Sequence, residues 1–284
     1  MTKKTLKTQT VKSGKAASPP SVPRHTGYQF SKWNKSFKKI TSNLTVTATF
    51  KYANGFVKEK DKTYYYYKGK KVTGSRKIEG DTWIFNQKTG SAEGRIMGIT
   101  YINQQCGVRE SGKWTHTWFP NARTWNGYRL GNGACGITSC AMALTALRGK
   151  LTLPTDLNSI RCGFNGRGSN YDVGVLSARK YGLKGTVTSL TRDQMVDHLM
   201  KGRFIVVWVT RSIYGGAGNT QGGDVGSGGG HFVLIHGYKD GKFAVADPNN
   251  TSQTYIWSGK LNKWESFNSH LGNGSSGSYC VMQK

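Results

Sequence analysis

ACGITSCAMALTAL (134–147) reads as a short apolar helix opened by Cys135, and about a hundred residues later HFVLIHGYKDGKFAVAD (231–247) reads as two strands joined by a turn. Gly131, Gly133 and Gly136 surround the start of the helix, so a thiol at position 135 sits among bare backbone N–H groups at the positive helix end. That location favours the thiolate, the nucleophilic form of cysteine. A helical cysteine is ordinarily a small buried hydrophobe, and Cys140, five residues further on, fits that description. Position separates the two thiols.

His231 and His236 both lie in the first strand and compete for the role of base. Five residues apart on a strand, they point to opposite faces, so only one can face Cys135. If KDGK forms a three-residue loop pairing Tyr238 with Lys242, His231 lies opposite Asn249 and diagonal to Asp247, on one face. Either residue could then orient the imidazole, Asp247 ahead of Asn249. A two-residue Asp-Gly turn would instead put Asp247 on the other face.

Around these stretches the chain from about Gly98 alternates helix and strand signals. DVGVLSARKYGL (172–183) and TRDQMVDHLMKG (191–202) read as helices, the second with a Thr N-cap and a Gly stop. RFIVVWV (203–209), HFVLIHGY (231–238), KFAVAD (242–247) and QTYIW (253–257) read as strands. Helices first and an antiparallel sheet after them is α+β organisation. The glycine-rich run 215–230 lacks the Lys-Ser/Thr of a phosphate loop; it is either a plain connection or a mobile cover over the thiol.

The N-terminal third is different in texture. In NLTVTATF (43–50), Leu44, Val46, Ala48 and Phe50 alternate with threonines, the period of a half-buried strand. Residues 11–50, with Tyr28, Phe30 and Trp33, resemble the small Gly-Tyr-x-Phe-x-x-Trp β-repeat of Gram-positive surface proteins, the Listeria–Bacteroides repeat. GFVKEKDKTYYYYKGKKVTG (55–74) and SRKIEGDTWIFNQKTGSAEG (75–94) form an internal repeat of aromatic hairpins. The pair resembles the aromatic wall-binding repeats of streptococcal and clostridial surface proteins and lysins. That resemblance implies a wall-binding role for Tyr64, Tyr65, Tyr66, Trp83 and Phe85, although Phe56 and Ser75 stand where tryptophans are expected. The alternative is that these rings are simply the hairpin cores.

The chain of 284 residues carries 41 basic and 14 acidic side chains, a formal charge of +27, and its first fifty residues have ten basic groups and no acidic one. Such a field gathers polyanions. With no zinc-finger, helix-turn-helix or RNA-binding signature, a bacterial wall polymer suits it better than nucleic acid. No apolar run is long enough for a membrane span or a secretory signal, which leans toward a phage-released enzyme, with a secreted bacterial autolysin whose leader is missing as the alternative. The five cysteines contain no CxxC pair and no metal-ligand spacing, so neither a metal nor another cofactor is expected.

Taken with the Asp247-Pro248 step, NGACGITSCAMALTALRGK (132–150) and GHFVLIHGYKDGKFAVADPN (230–249) resemble the papain-like cysteine peptidases related to bacteriocin-leader processing enzymes. The resemblance spans about 98–284. It implies Cys135 as nucleophile, His231 as base, Asp247 as orienter, and a glutamine ahead of the cysteine as oxyanion donor. TYINQQ (100–105) offers Gln104 and Gln105 for that last role, about thirty residues upstream. The expected organisation is a β-repeat over 1–50, aromatic wall-binding hairpins over 51–96 and a papain-like domain over 97–284. The expected activity is peptidoglycan hydrolysis at the bacterial wall. A wall-binding adhesin with a silent peptidase fold is the rival.

Overall fold

The computed structural model describes residues 4–123, 127, 129–160, 172–209, 231–248, 262–266 and 279–284. It divides into two compact units, Met1–Gly74 with Phe85–Ala92, and Ser75–Ile84 with Glu93–Lys284.

In the larger unit, helix α1 spans Cys135–Arg148 and stops at Gly149, whose φ of 65° is the left-handed value that ends a helix. Twelve of its fourteen residues are buried, so it runs through the core and has no solvent face of any width. Helices α2 (Val173–Lys180) and α3 (Arg192–Met200) follow. Thr191 caps α3 by a capping box, its hydroxyl accepting from the Gln194 N–H while Gln194 Oε1 accepts from the Thr191 N–H at 2.8 Å. The Pro154 segment forms a single 3-10 turn, Pro154–Leu157.

The sheet runs in spatial order Lys184–Thr188, Tyr279–Gln283, Phe204–Val209, His231–Lys239, Ala92–Ile96, Asp81–Phe85 and Gly74–Ile78. Lys242–Ala246 and Asn262–Ser266 continue from the other edge of His231–Lys239. Val206, Leu234 and Phe243 from this sheet and Ile137 and Leu144 from α1 are essentially inaccessible, which places the core between sheet and helix. The expected strand 253–257 lies outside the described residues.

The sheet passes through the boundary expected at residue 96. Ile96 and Arg95 pair with Gly237 and Tyr238, and the backbones approach closely enough that a Cβ on Gly237 would meet the Ile96 Cα at 2.7 Å. Arg95 fixes the strand further: it pairs with Asp81 at 2.6 Å, donates to the Met200 carbonyl at 3.1 Å and stacks on Trp83. Most of the second aromatic repeat is thus an extension of the sheet that carries His231.

The hairpin after His231 differs from expectation in its turn. Lys239 pairs with Lys242 and Tyr238 with Phe243, a two-residue turn at Asp240 and Gly241, both with positive φ (50° and 81°). By itself that turn would send Asp247 to the wrong face. The register shifts by one at His236, however, so that Ile235 pairs with Val245 and Leu234 with Ala246. This bulge restores the pairing that a three-residue loop would have given.

In the smaller unit, Tyr28–Trp33 pairs with Ala48–Tyr52. The strand expected from Leu44 begins only at Ala48, because its partner ends at Trp33, where Asn34 and Thr47 exchange bonds of 2.7 and 3.0 Å. A meander of Gly55–Glu59, Lys62–Tyr67 and Lys70–Lys71 follows.

Four of the five rings expected to meet a wall ligand are used as core here: Tyr64, Tyr66, Trp83 and Phe85 are each at most 9% exposed, and Tyr65 is half-buried. The cation over Tyr64 is the chain's own. Lys71 Nζ sits 3.4 Å from that ring centroid and 2.8 Å from Glu59, which also accepts from the Tyr66 hydroxyl at 2.5 Å. Phe56 and Tyr67 remain exposed.

Candidate active site

Cys135 is the first residue of α1, preceded by Ala134 at φ −93°, ψ 17°, with no side chain capping the first turn. Among the described residues no N-cap side chain takes up the N–H groups there, and Gly133 and Gly136 near the thiol add no side-chain bulk. The thiol is nearly buried, as is that of Cys140 inside the helix. Cys106, Cys135, Cys140 and Cys280 are all unbridged. Cys162 lies outside the described residues.

His231 opens its strand and is 6% exposed. Its Nε2 lies 2.7 Å from Asp247 Oδ1, and Asp247 is itself 2% exposed. With Nε2 engaged by the carboxylate, Nδ1 is the nitrogen left for the Cys135 thiol, which acts on the charge of the ring. Burial disfavours charge on the ring, yet the Asp247 carboxylate and the Cys135 sulfur outweigh it and hold the imidazole well above the usual histidine range. One turn along α1, Ser139 Oγ donates to the Phe232 carbonyl at 3.3 Å, fastening the helix to the His231 strand beside the site.

His236 is buried elsewhere, its Nδ1 2.8 Å from the Met97 carbonyl. The structure therefore brings together Cys135, His231 and Asp247 and leaves His236 apart. Asn249, the other candidate orienter, and the glycine-rich run 215–230 lie outside the described residues.

The segment Tyr101–Cys106 ties the two sides of the site to each other despite its distance in sequence. Tyr101 donates to the Asp247 carbonyl at 2.6 Å, and the Gln104 N–H donates to the Pro248 carbonyl at 2.7 Å. On the other side, the amides of Gln104 (3.0 Å) and Gln105 both donate to the carbonyl of Gly131, four residues ahead of Cys135. Gln104 is buried and its Oε1 has no partner among the described residues, whereas Gln105 is exposed. Asn103 Oδ1 braces the turn by accepting from the Gln105 and Cys106 N–H groups at 2.8 and 3.0 Å. Tyr101 and Asn103 were not foreseen; the sole hint in sequence was their place beside Gln104 and Gln105.

Chemically, a thiol at a helix start, a buried imidazole and a carboxylate behind it can generate a thiolate and return a proton to a leaving group. Residues 99–271 match the family model described as the Peptidase_C39 like family. No curated protein matches the chain. Among solved structures, a double glycine motif protease from an AMS/PCAT transporter, in complex with the leader peptide, is 18% identical over 52% of this chain and 81% of its own, with a TM-score of 0.31. A putative C39-like peptidase from Bacillus anthracis is 16% identical over 54% and 90%, at a TM-score of 0.38. Recombinant stem bromelain precursor is 11% identical over 65% and 76%, at 0.36. Since the family match extends over more than half of the chain and includes the thiol, the imidazole and the carboxylate, this protein belongs to the C39-like peptidases and is a cysteine peptidase.

Proposed function

We propose that the protein is a peptidoglycan hydrolase of the lysin type, a cysteine endopeptidase cutting wall peptide stems or cross-bridges, with Cys135 as nucleophile, His231 as base and Asp247 as its orienter. The observation that carries the catalytic part is the buried His231 held by Asp247 at 2.7 Å, with the Cys135 thiol at the start of α1. The Cys135 sulfur attacks the carbonyl carbon of the scissile amide, and the oxyanion faces the first-turn N–H groups with a glutamine amide at their side. His231 then gives its Nδ1 proton to the departing amine, leaving a thioester on Cys135. Water, deprotonated by the same nitrogen, attacks the thioester carbonyl; the carboxylate product leaves and the thiol returns. Asp247 keeps the Nε2 proton in place throughout, which fixes the tautomer.

The wall as substrate rests on the N-terminal third, which carries ten basic side chains and no acidic one in fifty residues and keeps aromatic rings exposed at Phe30, Tyr52, Phe56 and Tyr67. An anionic, sugar-bearing polymer satisfies both features. Turbidity loss of purified Gram-positive walls tests the proposal. Wild type and Cys140→Ala should clear the suspension and Cys135→Ala should leave it unchanged; equal loss in well-folded samples of both variants would contradict the assignment.

A further inference from the structure

We infer that His236, clamped by Met97, is a positioning residue that sets the register bringing Asp247 to His231. The proposal rests on the trio just named as the reacting groups, and goes beyond it to what aligns them.

From the two-residue turn, an unbroken ladder would pair Tyr238 with Phe243 and keep that register to the site, placing Asp247 across from Leu234. His231 and Asp247 would then stand on opposite faces of the sheet. The observed pairing of Leu234 with Ala246 instead sets Asp247 one step further along, on the His231 face, consistent with the 2.7 Å bond between them. The single residue that makes the difference is the extra one in the longer strand, His236.

A bulge interrupts the ladder and leaves backbone groups needing partners. Here Met97 meets one of them, the His236 carbonyl accepting from the Met97 N–H at 2.9 Å, and the His236 ring lies 2.8 Å from the Met97 carbonyl, to which its Nδ1–H donates. Both bonds are buried on the His236 side, since that residue is 2% exposed and Met97 is 3% exposed. Close by, Ile96 and Arg95 pair with Gly237 and Tyr238, so the strand from the second repeat grips the bulge from its C-terminal side as well. An imidazole is suited to this place because it reaches back to the carbonyl of the residue that holds its own carbonyl. Alanine cannot make the second bond, whereas an asparagine amide nitrogen occupies nearly the position of Nδ1.

The readout is the alkaline limb of Cys135 alkylation by iodoacetamide under non-saturating conditions, which reports how firmly Asp247 holds the His231 imidazolium. Among the described residues, the ionisable groups facing His231 are Cys135 and Asp247. In folded protein, His236→Ala should move that limb to lower pH in the direction of Asp247→Asn, and His236→Asn should restore most of the wild-type profile. A wild-type limb in His236→Ala, with Asp247→Asn shifted, would overturn the clamp while leaving the trio intact. An unshifted limb in Asp247→Asn would instead remove the trio on which the clamp depends. Should His236→Ala not fold, hydrogen exchange on the wild type decides: the Met97 amide should be protected to the degree of the Phe204–Val209 strand, and exchange at the rate of an open loop would refute the clamp.

Discussion

His231 is a buried imidazole with a carboxylate at one nitrogen, and its protonation state decides whether it can give a proton to the leaving amine. Because its pKa is raised, the imidazolium survives to higher pH than the ordinary value of ~6.5. The alkaline limb of kcat/KM should therefore lie above the usual histidine range. Asp247→Asn removes the charge that raises it, so the limb should move down and the rate should fall; a limb unmoved by Asp247→Asn would mean that another group titrates. Gln105 is the exposed one of the two amides and the one a substrate can reach. Gln105→Ala should lower kcat by about 10²-fold with little change in KM, as loss of an oxyanion donor does. Gln104, buried between Gly131 and Pro248, should show its effect chiefly as lost stability in urea unfolding.

At the scale of elements, the sheet around His231 depends on close backbone approach. A Cβ on Gly237 would meet the Ile96 Cα at 2.7 Å and the Arg95 carbonyl at 2.8 Å. Gly237→Ala should thus destabilise the protein by about 1–3 kcal/mol, seen as a lower urea midpoint at unchanged slope. A midpoint equal to wild type would mean that the strands separate freely at that crossing. The helix Arg192–Met200 was legible in the sequence, since Thr191 and Gly202 carry local start and stop chemistry. The hairpin was harder: Lys-Asp-Gly-Lys admits two turns, and the residue that decides the register is a bulge held by Met97, about 140 positions away. Long-range bonds of this kind leave no local pattern. The same is true of Tyr101 and Gln104, whose partners Asp247 and Pro248 lie equally far along the chain.

For the whole molecule, charge and exposed rings are expected to divide the work of wall binding. Full-length Cys135→Ala should sediment with walls at low salt and release in part as salt rises, since screening shortens to ~3 Å at 1 M and removes long-range attraction. The salt-resistant remainder should weaken in Phe56→Ala and Tyr67→Ala, whose rings are exposed, and unchanged retention in both would place it elsewhere. Tyr66→Ala should instead loosen the fold, because that ring is 1% exposed and bonded to Glu59. The aromatic repeat was visible as a repeat, but Lys71 folding back over Tyr64 is a contact the period does not encode.

The most direct measurement for the central claim is mass spectrometry of the soluble products released from purified walls by wild-type protein and by Cys135→Ala. Wild type should yield fragments with one new amino and one new carboxyl terminus at a single type of peptide bond, and Cys135→Ala should yield none. Products cut at sugar linkages, or the same peptide fragments from Cys135→Ala, would contradict the account.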